Sequence, residues 1–228
     1  MTRVRVVVEG QTEESFVSEI LAPLLWRREV YVTAIIIGVP GHKGGRTNYA
    51  RVKKDVLVQL RQDRTAYCTT MLDLYGLGKG FPGDPPPPNL PGIEKATHVE
   101  QAIMQDIVAT APDLRPDVRF LPYLQLYEYE GLLFSDPTAF AAGIYQPHLA
   151  APLQEIRNQF HTPEDINDSA ETAPSKRLRK LHPSYRKPLD GTRAAQAVGV
   201  AIMRQECPHF NAWIARLESL AGAAATLA

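Results

Sequence analysis

In the first half of the chain, short runs rich in valine and isoleucine alternate with stretches where apolar residues recur every three or four positions. Arg3–Val8 is nearly continuous in hydrophobicity, the pattern of a strand covered on both faces of a sheet. The turn Gly10-Gln11-Thr12 follows, with Thr12 suited to be an N-cap. Phe16, Val17, Ile20, Leu21, Leu24 and Leu25 then predict a helix to Trp26, which Pro23 is expected to kink or split because it lacks a backbone donor. Val30–Ile37 predicts a second strand, Tyr49–Asp63 a helix and Ala66–Leu72 a third strand. Thr97 and Glu100 have the spacing of a capping box and predict a helix reaching Thr110. Val118–Leu124 predicts a fourth strand, entered past Pro116 and weakened by Pro122. Leu74–Gly92 carries five glycines and the run Pro85–Pro88, which excludes helix and central strand and points to a functional flap.

This alternation predicts an α/β fold with a parallel sheet flanked by helices. From Tyr127 onward the strand pattern stops. Helical segments follow over Glu128–Phe134, Pro137–Ala142, Pro147–Gln159, Ser175–Leu181, Thr192–Glu206 and His209–Ala221. The expected organisation is an α/β core over residues 1–126 and a C-terminal helical subdomain over 127–228, packed on that core or completing it.

Charge narrows the functional classes. Lys and Arg together number 25 and so do Asp and Glu, so any nucleic-acid contact must come from a local patch. Pro174–Lys187 supplies one, with Lys176, Arg177, Arg179, Lys180, Arg186 and Lys187 and no acid, and with Tyr185 able to stack on a base. The plainer alternative is a solvated helix face balancing the acids of Glu164–Glu171, and Ser175 suits an N-cap as well as a phosphate donor. The basic glycine-rich loop Gly38–Asn48 lacks the lysine-plus-hydroxyl spacing of a P-loop. Lys43 and Arg46 within it are phosphate candidates beside the reading of a solvated loop. No apolar run is long enough to span a bilayer, and Val4–Val8 is too short for a signal-peptide core. Cys68 and Cys207 stand far apart, as reduced thiols do, and a cytoplasmic location follows. Scattered histidines argue against zinc, and no GxSxG nucleophile setting occurs.

The acids carry the sharpest chemistry. Glu9 and Asp73 are each the first acid after a predicted buried strand, and ligands of open α/β sheets bind beyond the carboxyl ends of the strands. Two converging carboxylates form a hard-oxygen site for Mg²⁺ or Mn²⁺, able to polarise a phosphodiester and activate water. Strand-end acids that merely cap helices or face water are the bland alternative. Glu13 and Glu14 fall in a first helical turn, where acids favour the dipole; Glu13 is one turn from Glu9 and within reach of the same metal. Glu128 and Glu130, in the Tyr127-Glu128-Tyr129-Glu130 segment after the fourth strand, aim at the same edge.

VEGQTEE resembles the first motif of Toprim domains, in which a strand-end glutamate is followed by glycine and then often by a Thr-Glu pair. With MLDLYGLGKGFPG, YEYEGLLFSD, APSKRL, HPSYRKPLDG and CPHFNAWIARL, the chain from Val4 to Leu217 resembles the bacterial Toprim-like proteins of domain-of-unknown-function family 4276. The resemblance implies a Toprim-like core and a metal-dependent nuclease working beside an ATPase partner in defence against phage or other mobile DNA. By analogy Glu9 is the general acid/base or a metal ligand, and Asp73 is the first acid of an Asp-x-Asp metal motif. Here that motif reads Asp73-Leu74-Tyr75, so its second acid is replaced. Glu128 or Glu130 can substitute, a single metal can serve, or cleavage is lost.

The expected site therefore has Glu9, Asp73 and Lys176 in catalysis, and Glu9, Asp73, Glu128 and Glu130 around Mg²⁺ or Mn²⁺. Lys176, Arg177, Arg179, Tyr185 and Lys187 would lie on DNA or RNA, with Glu13, Tyr75, Lys43 and Arg46 as further candidates. Two readings compete with the nuclease: a non-catalytic nucleic-acid or nucleotide sensor docked on an ATPase, and an enzyme acting on a small phosphate ester. A homo-oligomer is compatible with each.

Overall fold

The structure is a computed structural model that describes residues 1–38, 47–167 and 172–222. Four strands, β1 (Thr2–Val8), β2 (Val30–Ile36), β3 (Tyr67–Asp73) and β4 (Phe120–Leu121), form a parallel sheet in the order β2-β1-β3-β4; β5 (Leu124–Gln125) pairs with β3 beyond β4. The expected fourth strand is thus cut in two. Pro122 has no N–H for the ladder, and the chain steps out at Pro122-Tyr123 before rejoining β3. Residue 118 falls in a single helical turn, α5 (Pro116–Arg119), rather than in the strand.

After β1 the chain enters a helix whose first part is α1 (Gln11–Ser15) and whose last part is α2 (Ala22–Trp26), joined by a π-helical segment, Phe16–Leu21. The Ala22 N–H bonds to the Val17 carbonyl, one residue wider than α-helical spacing, directly before Pro23. The helix widens there instead of splitting. Its N-cap is Gly10, not Thr12: the Glu13 carboxylate accepts the Gly10 N–H at 3.0 Å, while Thr12 lies buried inside the first turn.

Two helices cover one face of the sheet, α3 (Tyr49–Gln62) and α4 (Gly92–Thr110). Val52, Val56, Leu60, Val99, Ile103 and Ile107 pack there against Val7, Cys68 and Leu72. Because α4 starts at Gly92, Thr97 and Glu100 are already in its second and third turns and form no cap. Glu100 instead accepts the Leu124 N–H at 2.7 Å and pairs with His209 at 2.9 Å. The Leu74–Gly92 stretch is pinned rather than loose: Leu77 and Phe81 are buried, Thr47 bridges Leu77, and the Phe81 ring lies 5.3 Å from Tyr49.

The opposite face is closed by the first helix together with the C-terminal half. That half comprises a 3₁₀ stretch, Tyr129–Ser135, then α6 (Pro137–Gly143), α7 (Ala150–Arg157), α8 (Pro174–Leu181), α9 (Lys187–Val198), α10 (Val200–Glu206) and α11 (Pro208–Glu218). Val4, Val6 and Val8 share one continuous core with Phe16, Phe134, Phe140, Leu178, Phe210 and Trp213. Gly199, with φ of 79°, separates α9 from α10 where one long helix is predicted. Glu164 is buried and accepts the His209 and Phe210 N–H groups at 2.9 and 3.0 Å, so it caps α11 rather than balancing a surface charge. The result is an α/β fold with a parallel sheet, helices on both faces and a helical C-terminal part. Among the described residues no helix is long and apolar enough to cross a membrane.

Candidate acidic site at the strand ends

β1 and β3 are adjacent and parallel, with Val8 opposite Met71, so Glu9 and Asp73 emerge side by side at the carboxyl edge of the sheet. The Thr47 side chain and the Asp73 backbone lie close enough to the Glu9 carboxylate to favour its charged form. Gly76, at the end of the 3₁₀ turn Leu74–Gly76, presses on it so closely that a Cβ would lie 3.0 and 3.3 Å from its two oxygens. Asp73 Oδ1 accepts the Tyr129 N–H at 2.8 Å, which ties the start of the C-terminal half to the strand end. Glu13 reaches in from α1, and Glu130 comes from the Tyr129–Ser135 turn with no exposed surface. Lys187, the first residue of α9, places its ammonium 3.0 and 3.1 Å from the two Glu130 oxygens.

Four carboxylates therefore lie within electrostatic reach of one lysine, and Glu130 is the one in contact with it. Each acid is pushed above its ordinary range, and burial is the leading cause for all four. Repulsion from Glu9 and Glu130 helps raise Glu13 to about 7, and Asp73 is raised further by Glu13, Glu9 and Glu130. Burial pulls Lys187 down, but Glu130, Asp73 and Glu128 outweigh it and hold the ammonium charged. If all four acids ionise, the cluster carries −4 + 1 = −3. Among the described residues, the buried Tyr185 hydroxyl has no hydrogen-bond partner, and the buried Glu130 Oε1 has only its ion-pair contact with Lys187. Hard, undercompensated oxygens fit a divalent cation. Among the described residues, however, no three His, Cys, Asp or Glu side chains are grouped as a metal cage. Mg²⁺, which commonly uses one or two carboxylates and keeps its waters, requires none.

A family model described as "Domain of unknown function (DUF4276)" matches residues 8–218. The chain belongs to this family. No curated protein and no solved structure matches it. The DUF4276 span contains every member of the cluster, from Glu9 to Lys187.

Of the residues expected from sequence in this DUF4276 chain, Glu9, Asp73, Glu130, Glu13 and Lys187 come together. Glu128 lies close enough to act on Lys187 and Glu130, but its Oε2 is engaged by the Ser175 N–H at 2.8 Å, at the start of α8. Ser175 is buried and is not the N-cap, a place taken by Ala173. Lys176 and Arg179 are exposed on α8 and Tyr75 is exposed at the sheet edge. Arg177 is held inward, its guanidinium 5.2 Å from the Phe160 ring and its Nε donating to the Thr172 carbonyl at 2.7 Å. Tyr185 cannot stack on a base as expected, because its ring is buried and its hydroxyl is wedged against Gly191. Lys43 and Arg46 lie outside the described residues. Sequence reading missed Thr47 and Gly76. A glycine three residues after a strand-end acid was the available signal for the second.

Proposed function

We propose that this DUF4276 protein is a Toprim-like nuclease that uses Mg²⁺ or Mn²⁺ to hydrolyse phosphodiester bonds. The observation that carries the reading is the convergence of Glu9, Glu13, Asp73 and Glu130 on one lysine at the carboxyl edge of a parallel sheet. Glu9 and Asp73 would hold the cation, whose chemistry is to polarise a phosphoryl oxygen and acidify water. Glu13, titrating near neutrality, is suited to take a proton from attacking water or return one to a leaving oxygen. Lys187 favours the ionised form of Glu130 against the burial that opposes it, and sets a fixed positive charge beside the place where a phosphate would enter. Lys176 and Arg179, exposed on α8, are free to neutralise backbone phosphates of DNA or RNA, and Tyr75 to stack on a base. A cytoplasmic setting agrees with Cys68 and Cys207 being free and buried. Partnership with an ATPase and a role in defence follow from the Toprim resemblance.

The decisive comparison is Glu9→Gln against wild type in nicking of supercoiled DNA and of RNA with Mg²⁺ or Mn²⁺. The expected loss is at least about 100-fold, the low end for a group acting in acid–base chemistry. Equal rates would sink the assignment.

One observation favours a second reading, a non-catalytic sensing module for a partner ATPase. Tyr75 stands where the Asp-x-Asp motif has its second acid, and Lys187 already supplies a cation inside the cluster. Calorimetric titration with Mn²⁺ separates the two, since a module of this kind gives no heat of binding at concentrations that support catalysis.

A further inference from the structure

We propose that the β2 edge of the sheet is a self-association surface, on which a second copy of this chain adds its own β2 antiparallel about a two-fold axis at Thr33. β2 ends the sheet, and among the described residues β1 is its one strand partner. The Glu29 carbonyl accepts the Thr2 N–H at 3.2 Å and the Ile37 N–H donates to the Val8 carbonyl at 3.0 Å, so odd-numbered residues turn their backbone groups toward β1. Backbone groups alternate along a strand, which directs the N–H and C=O of Val30, Val32, Ala34 and Ile36 away from the sheet; Val30 is buried, so Val32, Ala34 and Ile36 form the accessible edge. No described residue bonds them.

Edge strands are normally protected by charge, proline, a bulge or shortness. β2 has none of these. Its sequence, VYVTAII, is uncharged, and all seven residues pair in unbroken register with β1, from Thr2↔Val30 to Val8↔Ile36. Thr33 and Ile36 are exposed, and Trp26 beside the edge is 64% exposed with its indole N–H on the Tyr31 hydroxyl at 3.2 Å.

The outward-facing groups select both the occupant and the register. Only even residues can bond across the new seam, and Val30 is fully buried, so a two-fold centred on Thr33 joins the copies through Val32 of each opposite Ala34 of the other. These four positions are apolar and bring no like charges together. Thr33 then meets itself as a non-hydrogen-bonded pair, with Cα atoms about 4.5 Å apart. Such an isologous contact covers both exposed edges at once and cannot propagate, which a foreign strand would not require. The inference is independent of the nuclease reading.

Sedimentation equilibrium of the full chain at tens of micromolar tests it. Wild type is expected at twice the monomer mass, and Thr33→Lys, which sets two ammonium groups face to face, at the monomer mass with an unchanged far-UV circular dichroism spectrum. Mild oxidation of Thr33→Cys should give an intermolecular disulfide, because the Cα separation falls within the bondable range of about 4.4–6.8 Å. The native Cys68 and Cys207 are buried and do not compete. A monomeric wild type, or a Thr33→Lys protein that stays dimeric, overturns the proposal. A dimeric Thr33→Cys protein that resists oxidation overturns its register.

Discussion

Gly76 shows how tightly the site is specified at the level of single atoms. A methyl group there would stand 3.0 Å from one Glu9 oxygen, 3.3 Å from the other and 3.4 Å from the Asp73 Cβ. The carboxylate is also largely buried, with the Thr47 side chain and the Asp73 backbone favouring its charged form where it stands. Gly76→Ala is therefore expected to displace Glu9 while leaving the core intact, since the three atoms nearest the new methyl belong to Glu9 and Asp73. Misplacing or loosening a ligand in this way typically weakens metal affinity or activity by about 10–100-fold. The check is Mn²⁺ affinity by calorimetry beside a thermal melt. A tenfold or greater loss of affinity with an almost unchanged Tm supports the role, whereas equal affinity means that Glu9 does not need its present position to bind metal.

At the level of elements, the buried strands and most helices were legible in the chain because one pattern sufficed for each. Val4–Val8 and Ala66–Leu72 read as strands because both faces are covered, and Pro122 marked the point where the fourth strand breaks. Glu9 and Asp73 were legible for the same reason, since a strand end fixes which edge an acid occupies. What was not legible depends on packing between distant segments. Glu13 has the local signature of any helix-start acid, and only the Glu130 turn and α9 arriving over it make it buried. Lys187 reads as one more cation of a basic stretch, although its partner Glu130 is 57 residues away. Tyr185 was misread for the same reason.

The delivery of Lys187 depends on α9 lying close against α6. Gly143 permits this, for a Cβ there would meet the Arg193 carbonyl at 2.8 Å, the Ala197 Cβ at 2.9 Å and the Ala194 Cα at 3.0 Å. Two of those three atoms are backbone, so a rotamer change cannot relieve the clash. Gly143→Ala should cost about 1–3 kcal/mol through overpacking. For a chain of this size that lowers Tm by about 2–4 °C per kcal/mol. An unchanged melt would show that the two helices can separate at no cost.

For the molecule as a whole, overall neutrality conceals a concentration of negative charge in one place, and pH exposes it. Glu13 ordinarily titrates near 4.5 and is raised to about 7 in the fold, chiefly by burial. Below 4.5 it is protonated in both folded and unfolded states and contributes nothing to the difference between them. Between 4.5 and 7 the folded state keeps a proton that the unfolded state has released, so stability falls as pH rises through this window. Above 7 the loss is complete, amounting to about 3 kcal/mol at most, since a tenfold change in proton affinity corresponds to about 1.4 kcal/mol. His209 moves stability in the same direction at higher pH: burial opposes its charge, but Glu100 and Glu164 outweigh that and raise it, so its contribution is lost as it deprotonates. A wild-type profile alone would merge these two with Glu9, Asp73, Glu130 and Glu164, which burial also raises. The difference between wild type and Glu13→Gln reports the Glu13 carboxylate together with the repulsion it exerts on Asp73, because glutamine preserves an acceptor for the Gly10 N–H and leaves His209 untouched. Measured by thermal melts in EDTA, the variant should match wild type at pH 4.5 and exceed it increasingly up to pH 8. Mg²⁺ should narrow that gap by replacing the missing positive charge. A difference that stays flat across the whole range would mean that Glu13 ionises as an ordinary surface acid, and the cluster would then lack the electrostatic strain on which its proposed proton transfer depends.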